Sequence, residues 1–364
     1  MRVQQKSFSD PLFTQRPPSM TIKARAVNPI LQAVLRVIYM VAAGTVSLTG
    51  PLHAAGPVGA AGSSKAVVEG KNGNVFLADE LRFLSFPSFW GSASAKAAHT
   101  SKPEFSDPMP AIFDFQRQLQ ERGIALLLVP VPPKVEMVDR ALAGGLEGVR
   151  ANALSKFYEQ LHAGGVEVLD LREVFAEQQD AGILMYCKTD SHWSGAGCVT
   201  AAQSVAKRIA DKLPGMQKNR IDFQAQWEER VIRGDLGELL ATGKPEEESL
   251  KVRRISGGAV KSDPKSPLLI IGDSHTLVFH DFLGDAAGFP DQLAFELKLL
   301  PEWIGTRGSA ANAVRLSLLR RATREGDYLG CKKIVVWLFA AREFTEADQG
   351  WQKIPLSVRG GGGK

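Results

Sequence analysis

Short apolar runs alternate along the chain with longer amphipathic segments. Four of the runs are rich in Val, Ile and Leu: residues 124–131, 166–170, 268–271 and 334–339. Such runs are typical of strands that are buried on both faces of a parallel sheet. Between them, apolar residues recur with the helical period in four segments: residues 110–122, 146–163, 194–212 and 310–324. Strands that alternate with helices predict a three-layer α/β fold, with a central, mainly parallel sheet covered by helices on both sides.

The N-terminal segment has a different pattern. Residues 37–48 are apolar and uncharged, and basic residues such as Arg25 and Arg36 precede them. This order is typical of a secretory signal peptide, and the run is short for a membrane span. We therefore predict that residues 1–56 are a signal peptide or an uncleaved N-terminal anchor, with Met20 as an alternative start of translation. A buried amphipathic helix is the competing interpretation. Either leading version exports the rest of the chain.

The rest of the chain divides by composition into three parts. Residues 57–65 are rich in Gly, Ala and Ser, which is typical of a linker. A globular domain is predicted for residues 66–345. Residues 346–364 end in a glycine run and are predicted to be a mobile tail.

Charge is concentrated at the N-terminus. The chain of 364 residues carries a net charge of +5, and its first 36 residues hold six basic residues and one acid. The remainder has 38 basic and 38 acidic residues, so it is neutral. A neutral domain lacks the basic surface that nucleic-acid binding requires, and we expect no nucleic-acid partner.

The chain has three cysteines: Cys187, Cys198 and Cys331. Their spacing with histidine resembles no zinc site, so no metal or other cofactor is predicted. Cys187 and Cys198 are candidates for a disulfide in an oxidising compartment. We favour a buried thiol for Cys198, because it shares a helical face with Ala202 and Val205.

A serine follows the third apolar run directly. The sequence there is Leu-Leu-Ile-Ile-Gly-Asp-Ser-His-Thr, which places Ser274 just beyond the end of a buried strand. Sites in α/β proteins lie at the carboxyl ends of strands, where backbone N–H groups can stabilise an oxyanion. Gly272 would permit a close backbone approach. A simple Ser or Asp helix cap is the alternative interpretation.

A second polar motif is Asp190-Ser-His-Trp193. In an extended segment Asp190 and His192 would project to the same side, where the carboxylate can orient the imidazole. A serine hydroxyl needs such a base to act as a nucleophile. Asp190, His192 and Ser274 therefore form a candidate catalytic triad. His275 and His280 are weaker candidates for the base, since His275 adjoins the serine and His280 is expected on a following helix.

These motifs resemble the SGNH-hydrolase-like domain of the alginate O-acetyltransferases of the AlgJ/AlgX type. The resemblance extends over residues 66–345. It includes an opening hairpin at residues 68–82, the Val-Pro-Val-Pro-Pro-Lys segment that ends at Lys134, Gly234-Asp-Leu236, and the last strand with Arg342 beyond it. It implies an SGNH-hydrolase-like version of the three-layer fold.

The resemblance also implies a function in the periplasm. Ser274 would take an acetyl group from a donor, relayed by a membrane-bound O-acyltransferase, and pass it to hydroxyls of an alginate-like exopolysaccharide. His192 would be the base and Asp190 its orienting partner, within a complex of exopolysaccharide proteins. Arg342, Lys134 and Trp193 are candidates for contacts with the substrate or the oxyanion.

Several alternatives remain open at this point. Arg342 and Lys134 are equally well explained as surface charge, and Trp193 as a packing residue. The same triad would serve a carbohydrate acetyl esterase, which passes the acyl group to water. A non-catalytic polysaccharide-binding subunit is the third possibility. The neutral domain does not distinguish a polyanionic polysaccharide from a neutral one.

Overall fold

A computed structural model of the chain describes residues 66–139, 142–143, 146–213, 221–240, 247–308 and 310–356. The leader predicted for residues 1–56 and the linker at 57–65 lie outside these ranges. Within the described ranges, every helix is too short or too polar to span a bilayer.

Two kinds of regular element build the domain. The strands are β1 (Val67–Glu69), β2 (Val75–Leu77), β3 (Ala125–Val131), β4 (Glu167–Val168), β5 (Gln224–Arg233), β6 (Glu247–Ser256), β7 (Leu268–Gly272), β8 (Glu302–Gly305) and β9 (Ile334–Ala340). The α-helices are α1 (Ala78–Leu84), α2 (Ser94–Ala97), α3 (Met109–Gln120), α4 (Lys134–Val138), α5 (Leu146–Ala163), α6 (Arg172–Asp180), α7 (Gly195–Ile209), α8 (Ser274–Leu277), α9 (Phe289–Leu297), α10 (Ala313–Arg324) and α11 (Glu343–Glu346). Short 3₁₀ turns lie at Lys71–Gly73, Gly91–Ala93, Pro103–Phe105, Ala210–Lys212 and Gly237–Leu239.

Five strands form the central sheet, in the order β4-β3-β9-β7-β8. All neighbouring pairs are parallel; β3 and β9, for example, pair from Ala125 opposite Ile334 to Val131 opposite Ala340. Two antiparallel hairpins, β1-β2 and β5-β6, lie outside this sheet. Because parallel strands share one direction, their carboxyl ends form a single edge of the sheet, and the candidate site lies there.

The two faces of the sheet are both apolar. Along β9, Val335, Trp337 and Phe339 contribute to one core and Ile334, Val336 and Leu338 to the other. Helices α3, α5 and α10 supply buried side chains to the first core, and α6, α7 and α9 to the second. The alternation follows from the two-residue period of a strand. The predicted three-layer α/β fold is therefore confirmed.

Most of the predicted strands and helices begin and end within a few residues of the prediction, with one clear exception. Ser194 caps α7 as predicted, since its Oγ accepts a hydrogen bond from Gly197 N. The second predicted strand is reduced to the two residues of β4. The predicted hairpin at 68–82 is present as β1 and β2, and α1 follows it directly.

The predicted mobile tail requires a correction in its first part. Trp351 and Leu356 are buried in the first core, where Trp351 stacks on Phe344. Burying two large apolar side chains ties this segment to the domain. Residues 357–364 lie outside the described ranges.

The cysteines are free thiols in this structure. Cys198 is buried in the second core together with Ala202 and Val205, as we favoured, and burial raises the pKa of its thiol. Cys187 is buried as well, and its Sγ lies 3.3 Å from the carbonyl oxygen of Trp193.

Candidate active site

Ser274 lies immediately beyond the carboxyl end of β7, as the first residue of the short helix α8. The preceding residue, Asp273, caps this helix by accepting a hydrogen bond from His275 N at 2.9 Å. Its second carboxylate oxygen accepts from Ala340 N at 2.7 Å, at the end of β9. Asp273 is thus the helix cap that we gave as the alternative interpretation. It also ties the turn that carries Ser274 to β9, which we did not predict.

Gly272 is required by the close packing of this turn. A Cβ atom at this position would lie 2.2 Å from Thr276 Oγ1 and 2.4 Å from the carbonyl oxygen of Leu338. The predicted close backbone approach is confirmed. Any side chain here would push the serine turn away from β9.

The histidine lies in a tight loop before α7, which we name the histidine loop (residues 185–194). Hydrogen bonds close its base: Cys187 N donates to His192 O, and Ser194 N donates to Met185 O. The loop is a series of bends, so the extended segment that we predicted here is wrong. Asp190 and His192 instead come together because Asp190 Oδ1 accepts from His192 N at 2.9 Å, as in an Asx turn.

The three predicted triad residues meet at this edge of the sheet. His192 Nε2 lies 2.7 Å from Ser274 Oγ, and His192 Nδ1 lies 2.6 Å from Asp190 Oδ1. Both distances are within hydrogen-bonding range. Eighty-two residues separate His192 from Ser274, so the fold alone brings them together. Their arrangement suits proton transfer from the serine hydroxyl to an imidazole that the carboxylate orients.

Asp190 is held ionised by its surroundings. Burial raises the pKa of this carboxyl, but the hydrogen bond and charge of His192, with the N–H groups of Asp235 and His192, outweigh it and lower the pKa to about 2. Asp235 N donates to Asp190 Oδ2 at 3.0 Å, and the Asp235 carboxylate in turn binds Ser191 N and Oγ. These contacts place the segment Gly234-Asp-Leu236, which is part of the family resemblance, directly beside the triad carboxylate. A Cβ on Gly234 would lie 2.1 Å from the carbonyl oxygen of Thr189.

Lys134 is buried, which contradicts both the surface charge and the exposed substrate contact that we predicted for it. Its side chain is 1% exposed. Nζ donates to the carbonyl oxygens of Val75, Lys188 and Asp190 at 2.6–3.0 Å. Burial lowers the pKa of this ammonium group, although the negative charge of Glu80 raises it in part. Lys134 is therefore a positioning residue for the histidine loop.

Trp193 is fully buried, so its candidacy as a substrate contact is wrong and the packing interpretation is confirmed. Its indole ring stacks on Phe289 and meets the edge of His275. A ring enclosed in this way has no free face for a sugar.

The other two candidate bases have partners of their own. His275 is buried, its Nδ1 lies 3.2 Å from Asp273 Oδ1, and burial lowers the pKa of its imidazole. His280 Nδ1 lies 2.7 Å from Asp291 Oδ2. The prediction that His280 lies on a helix is wrong, since α8 ends at Leu277.

Arg342 lies just beyond β9 with its side chain 18% exposed. Its Nη1 is 3.6 Å from Glu80 Oε1, so it takes part in an ion pair. Burial lowers the pKa of the guanidinium, but the carboxylates of Glu80 and Asp273 outweigh it and hold the pKa above its usual range. A contact between Arg342 and a substrate stays a prediction.

Two residues next to the histidine were not predicted. The ring of Phe282 meets the imidazole of His192 edge to face, with 5.6 Å between centroids. The guanidinium of Arg307 lies 4.4 Å above the same phenyl ring. Phe282 belongs to a turn in which Phe279 and Leu283 have left-handed backbones, which is unusual for bulky residues. Nothing in the local sequence indicates that this turn covers the histidine.

Two groups of described residues bring three possible metal ligands within 4.8 Å of one another: Asp190, His192 and Asp235, and Asp79, His99 and Glu346. In the first group the imidazole and both carboxylates already have hydrogen-bond partners in the triad and the histidine loop. In the second, Glu346 is paired with Arg82.

Residues 67–303 match the family described as SGNH hydrolase-like domain, acetyltransferase AlgX. A probable alginate O-acetylase AlgJ of Pseudomonas fluorescens is 27% identical over 176 residues, which are 44% of either chain. The corresponding protein of Pseudomonas aeruginosa is 26% identical over 177 residues, 47% of this chain and 40% of that one. The chain therefore spans less than half the length of these curated relatives.

Two solved structures have a similar fold. The O-acetyltransferase domain of Pseudomonas putida AlgJ superposes with a TM-score of 0.58 and 20% identity, over 77% of this chain and 92% of that one. Pseudomonas aeruginosa AlgX gives a TM-score of 0.58 and 18% identity, over 80% of this chain and 64% of that one. The family match covers well over half of the chain, from the opening hairpin to β8, and includes all three triad positions. The chain thus belongs to the AlgJ/AlgX-like family with an SGNH hydrolase-like domain.

Proposed function

We propose that the chain is an O-acetyltransferase that moves an acetyl group through an acyl-serine intermediate onto hydroxyls of a secreted, alginate-like polysaccharide. One observation carries the proposal: Ser274 Oγ, the His192 imidazole and the Asp190 carboxylate are joined by contacts of 2.7 Å and 2.6 Å at the carboxyl edge of a parallel sheet. Membership of a family described by acetyltransferase AlgX supports it.

In the first half-reaction Ser274 Oγ attacks the carbonyl carbon of the acetyl donor. His192 Nε2 accepts the hydroxyl proton and delivers it to the leaving group of the donor, while the bond between acetyl and donor breaks. Asp190 stabilises the imidazolium that forms in between. The product is an acetyl ester on Ser274.

In the second half-reaction a sugar hydroxyl attacks this ester. His192 accepts the proton of the sugar hydroxyl and returns it to Ser274 Oγ as the acyl-oxygen bond breaks. The backbone N–H of Ser274 is the first oxyanion donor, because it makes no hydrogen bond to a protein acceptor within the described ranges and lies at the start of α8. Arg342 is the candidate for a second contact.

The location and the partners form part of the same proposal. Residues 1–56 would export the domain to the periplasm or anchor it at the inner membrane, and residues 57–65 would link this segment to the domain. The acetyl donor would be relayed by a membrane-bound O-acyltransferase, with other exopolysaccharide proteins nearby. The relatives of similar sequence are named probable alginate O-acetylases, which supports a polysaccharide acceptor.

An esterase with the same triad is the second candidate, because water can replace the sugar hydroxyl in the second half-reaction. The non-catalytic binding subunit would be supported by a Ser274–His192 separation beyond about 4 Å. The contact between these side chains is 2.7 Å.

The test is mass spectrometry of the purified protein after brief exposure to a chromogenic acetyl ester. We expect one acetyl adduct, mapped to Ser274 and absent from Ser274→Ala. Ser191→Ala should keep its adduct, because the Ser191 hydroxyl binds Asp235 and not His192. Adding oligosaccharides then separates a transferase, which yields acetylated sugar, from an esterase, which yields acetate alone. A wild-type protein without adduct or ester turnover would refute the triad.

A further inference from the structure

A large groove lies beside the histidine loop, on the side of the β5-β6 hairpin. Its volume is about 780 Å³, and its walls come from the first 3₁₀ turn, the histidine loop, the start of α7 and the hairpin. We name it the hairpin groove and define it by Asn72, Leu184, Lys188, Trp227, Ser249 and Lys251. Neither Ser274 nor His192 lines it, so it is separate from the triad.

The hairpin groove is nevertheless connected to the triad segment. Thr189 and Ser194 also line it, and they lie on either side of Asp190 and His192 in sequence. Glu248 on β6 accepts hydrogen bonds from Lys188 N, Thr189 N and Thr189 Oγ1. His192 is three residues after Thr189, and an extended chain spans at most about 3.6 Å per residue. The Cα atoms of Thr189 and His192 therefore lie within about 11 Å of each other. A long ligand in the groove thus contacts the loop that carries the base.

The lining combines exposed apolar surface with polar groups. Trp227 is 47% exposed and Leu184 is 53% exposed, although an indole ring is usually largely buried. The polar groups around them are an amide, hydroxyls, ammonium groups and two carboxylates, and they include Asn72 and Ser249. A sugar ring has the same combination, because its C–H face packs on an aromatic ring while its hydroxyl groups form hydrogen bonds at the rim.

The groove lining carries two ammonium groups and two carboxylates, and among the described residues only the carboxylates have partners. The carboxylate of Glu248 is occupied by backbone N–H groups, and Glu247 is paired with Arg233. The ammonium groups of Lys188 and Lys251 are exposed and have no acidic partner among the described residues. Hydroxyl or carboxylate oxygens of a ligand would satisfy them.

We propose that the hairpin groove is a glycan-binding subsite, in which a sugar ring stacks on Trp227 and Lys188 and Lys251 bind its oxygens. The inference rests on the proposed function, because a polymeric acceptor extends well beyond the one hydroxyl that Ser274 acylates. Binding distant sugar units here holds the polymer beside the histidine loop, so that a hydroxyl of a later unit is presented to the acyl-serine.

The test is calorimetric titration of the full chain carrying Ser274→Ala, which prevents turnover, with oligomannuronates and cello-oligosaccharides of defined length. Adding Trp227→Ala should weaken the Kd at least tenfold, as expected for loss of an aromatic anchor. Trp227→Phe should stay within about threefold of the parent, since it keeps a ring. Val231→Ala is the matched control, because Val231 is exposed on the same strand outside the groove.

Equal affinities of the parent and Trp227→Ala, or no binding of either glycan by the parent at millimolar concentration, would overturn the proposal. So would tight binding of apolar peptides in place of glycans. Acetyl-ester turnover of the corresponding proteins with Ser274 intact is measured in parallel. If Trp227→Ala lowers ester turnover as much as glycan affinity, its effect lies in the fold and the subsite is refuted.

The two proposals fail in different ways. If glycan binding depends on Trp227 but the wild type shows no acyl-serine, the subsite stands and the acetyltransferase falls. If acyl-serine forms but no substitution in the groove changes glycan affinity, the acetyltransferase stands and the subsite falls.

Discussion

At the scale of single residues, the site depends on how the fold uses Asp190. Its Oδ1 binds both the backbone N–H and Nδ1 of His192, while its Oδ2 binds Asp235 N. Its own carbonyl oxygen accepts from Lys134. The carboxylate therefore sets the tautomer of the imidazole and leaves Nε2 free to accept the proton of Ser274.

Asp190→Asn should lower kcat for acetyl-ester turnover by roughly 10³–10⁴-fold, as in other enzymes with a Ser-His-Asp triad, because the amide no longer selects the correct tautomer. Steady-state kinetics checks this, with circular dichroism to show that the fold is retained. Asp235→Asn is the matched control. It keeps the backbone N–H that binds Asp190 and should lose far less. Equal losses in the two variants would contradict the role given to Asp190.

The sequence was informative about residues whose chemistry shows in a local motif. Asp190, His192 and Ser274 belong to short motifs with typical spacing, and the structure brings all three together. The positions of Lys134 and Phe282 could not be predicted, because their neighbours come from segments that are distant in the chain. A lysine in a sequence does not reveal whether its ammonium group faces water or three buried carbonyl oxygens.

At the scale of elements, Lys134 connects three of them. Lys134 is the first residue of α4. Its Nζ donates to the carbonyl oxygen of Val75, at the start of β2, and to the carbonyl oxygens of Lys188 and Asp190 in the histidine loop. Lys332 offers a structural counterpart. Lys332 is equally buried, and its Nζ donates to the carbonyl oxygens of Pro264 and Ser266. These residues precede β7 and β9, so the contact lies at the amino ends of the strands, away from the carboxyl edge.

Lys134→Met and Lys332→Met should both lower stability, by about 1–3 kcal/mol for each carbonyl group left buried and unpaired. Lys332→Met should lose more than its two carbonyl contacts explain, because it also removes the ion pair between Lys332 and the buried carboxylate of Glu302. Only Lys134→Met should also lower kcat for ester turnover below the level that its folded fraction explains, because only it releases the histidine loop. Urea denaturation and kinetics on the same samples separate the two effects. A proportional fall of activity and folded protein in Lys134→Met would show that the contact is merely structural.

The elements differ in how well the sequence predicted them. β3, β7 and β9 are buried on both faces, so their continuous apolar runs are easy to recognise. The hairpin β5-β6 was not predicted, because most of its side chains are exposed and polar and the expected alternation is broken. β8 was missed because it has only four residues and begins with a charged residue, Glu302. Glu302 is nevertheless buried, and its carboxylate pairs with Lys332 and Arg321.

At the scale of the whole molecule, two histidines that are paired with carboxylates link the stability of the domain to pH. Burial lowers the pKa of His275, and the charges of His192 and Arg342 lower it further. The neighbouring carboxylate of Asp273 raises this pKa but does not outweigh them. Burial also lowers the pKa of His280, but there the hydrogen bond and charge of Asp291 outweigh it, and the pKa is raised. The two side chains therefore contribute to stability with opposite dependence on pH.

His275 stays neutral in the folded state at pH values where the unfolded chain is already protonated. Below its unfolded pKa of about 6.5 the unfolded chain binds the extra proton, so stability falls as the pH falls, by up to about 1.4 kcal/mol per pH unit. His275→Asn should remove this part of the slope. Urea denaturation midpoints at pH 5, 6, 7 and 8 measure it, in a range above the titration of Asp190 and Asp273, whose lowered pKa values matter only in stronger acid.

His280→Asn tests the sign of the effect. The raised pKa of His280 gives stability that is present below pH 6.5 and is lost as the pH rises through the folded pKa. Removing this histidine should therefore cost most at pH 5 and least at pH 8, whereas removing His275 should cost most at pH 8 and least at pH 5. If His275→Asn cost most at pH 5, His275 would be protonated in the folded state and its contact with Asp273 would be an ion pair. If His280→Asn cost most at pH 8, the raised pKa of His280 would be contradicted.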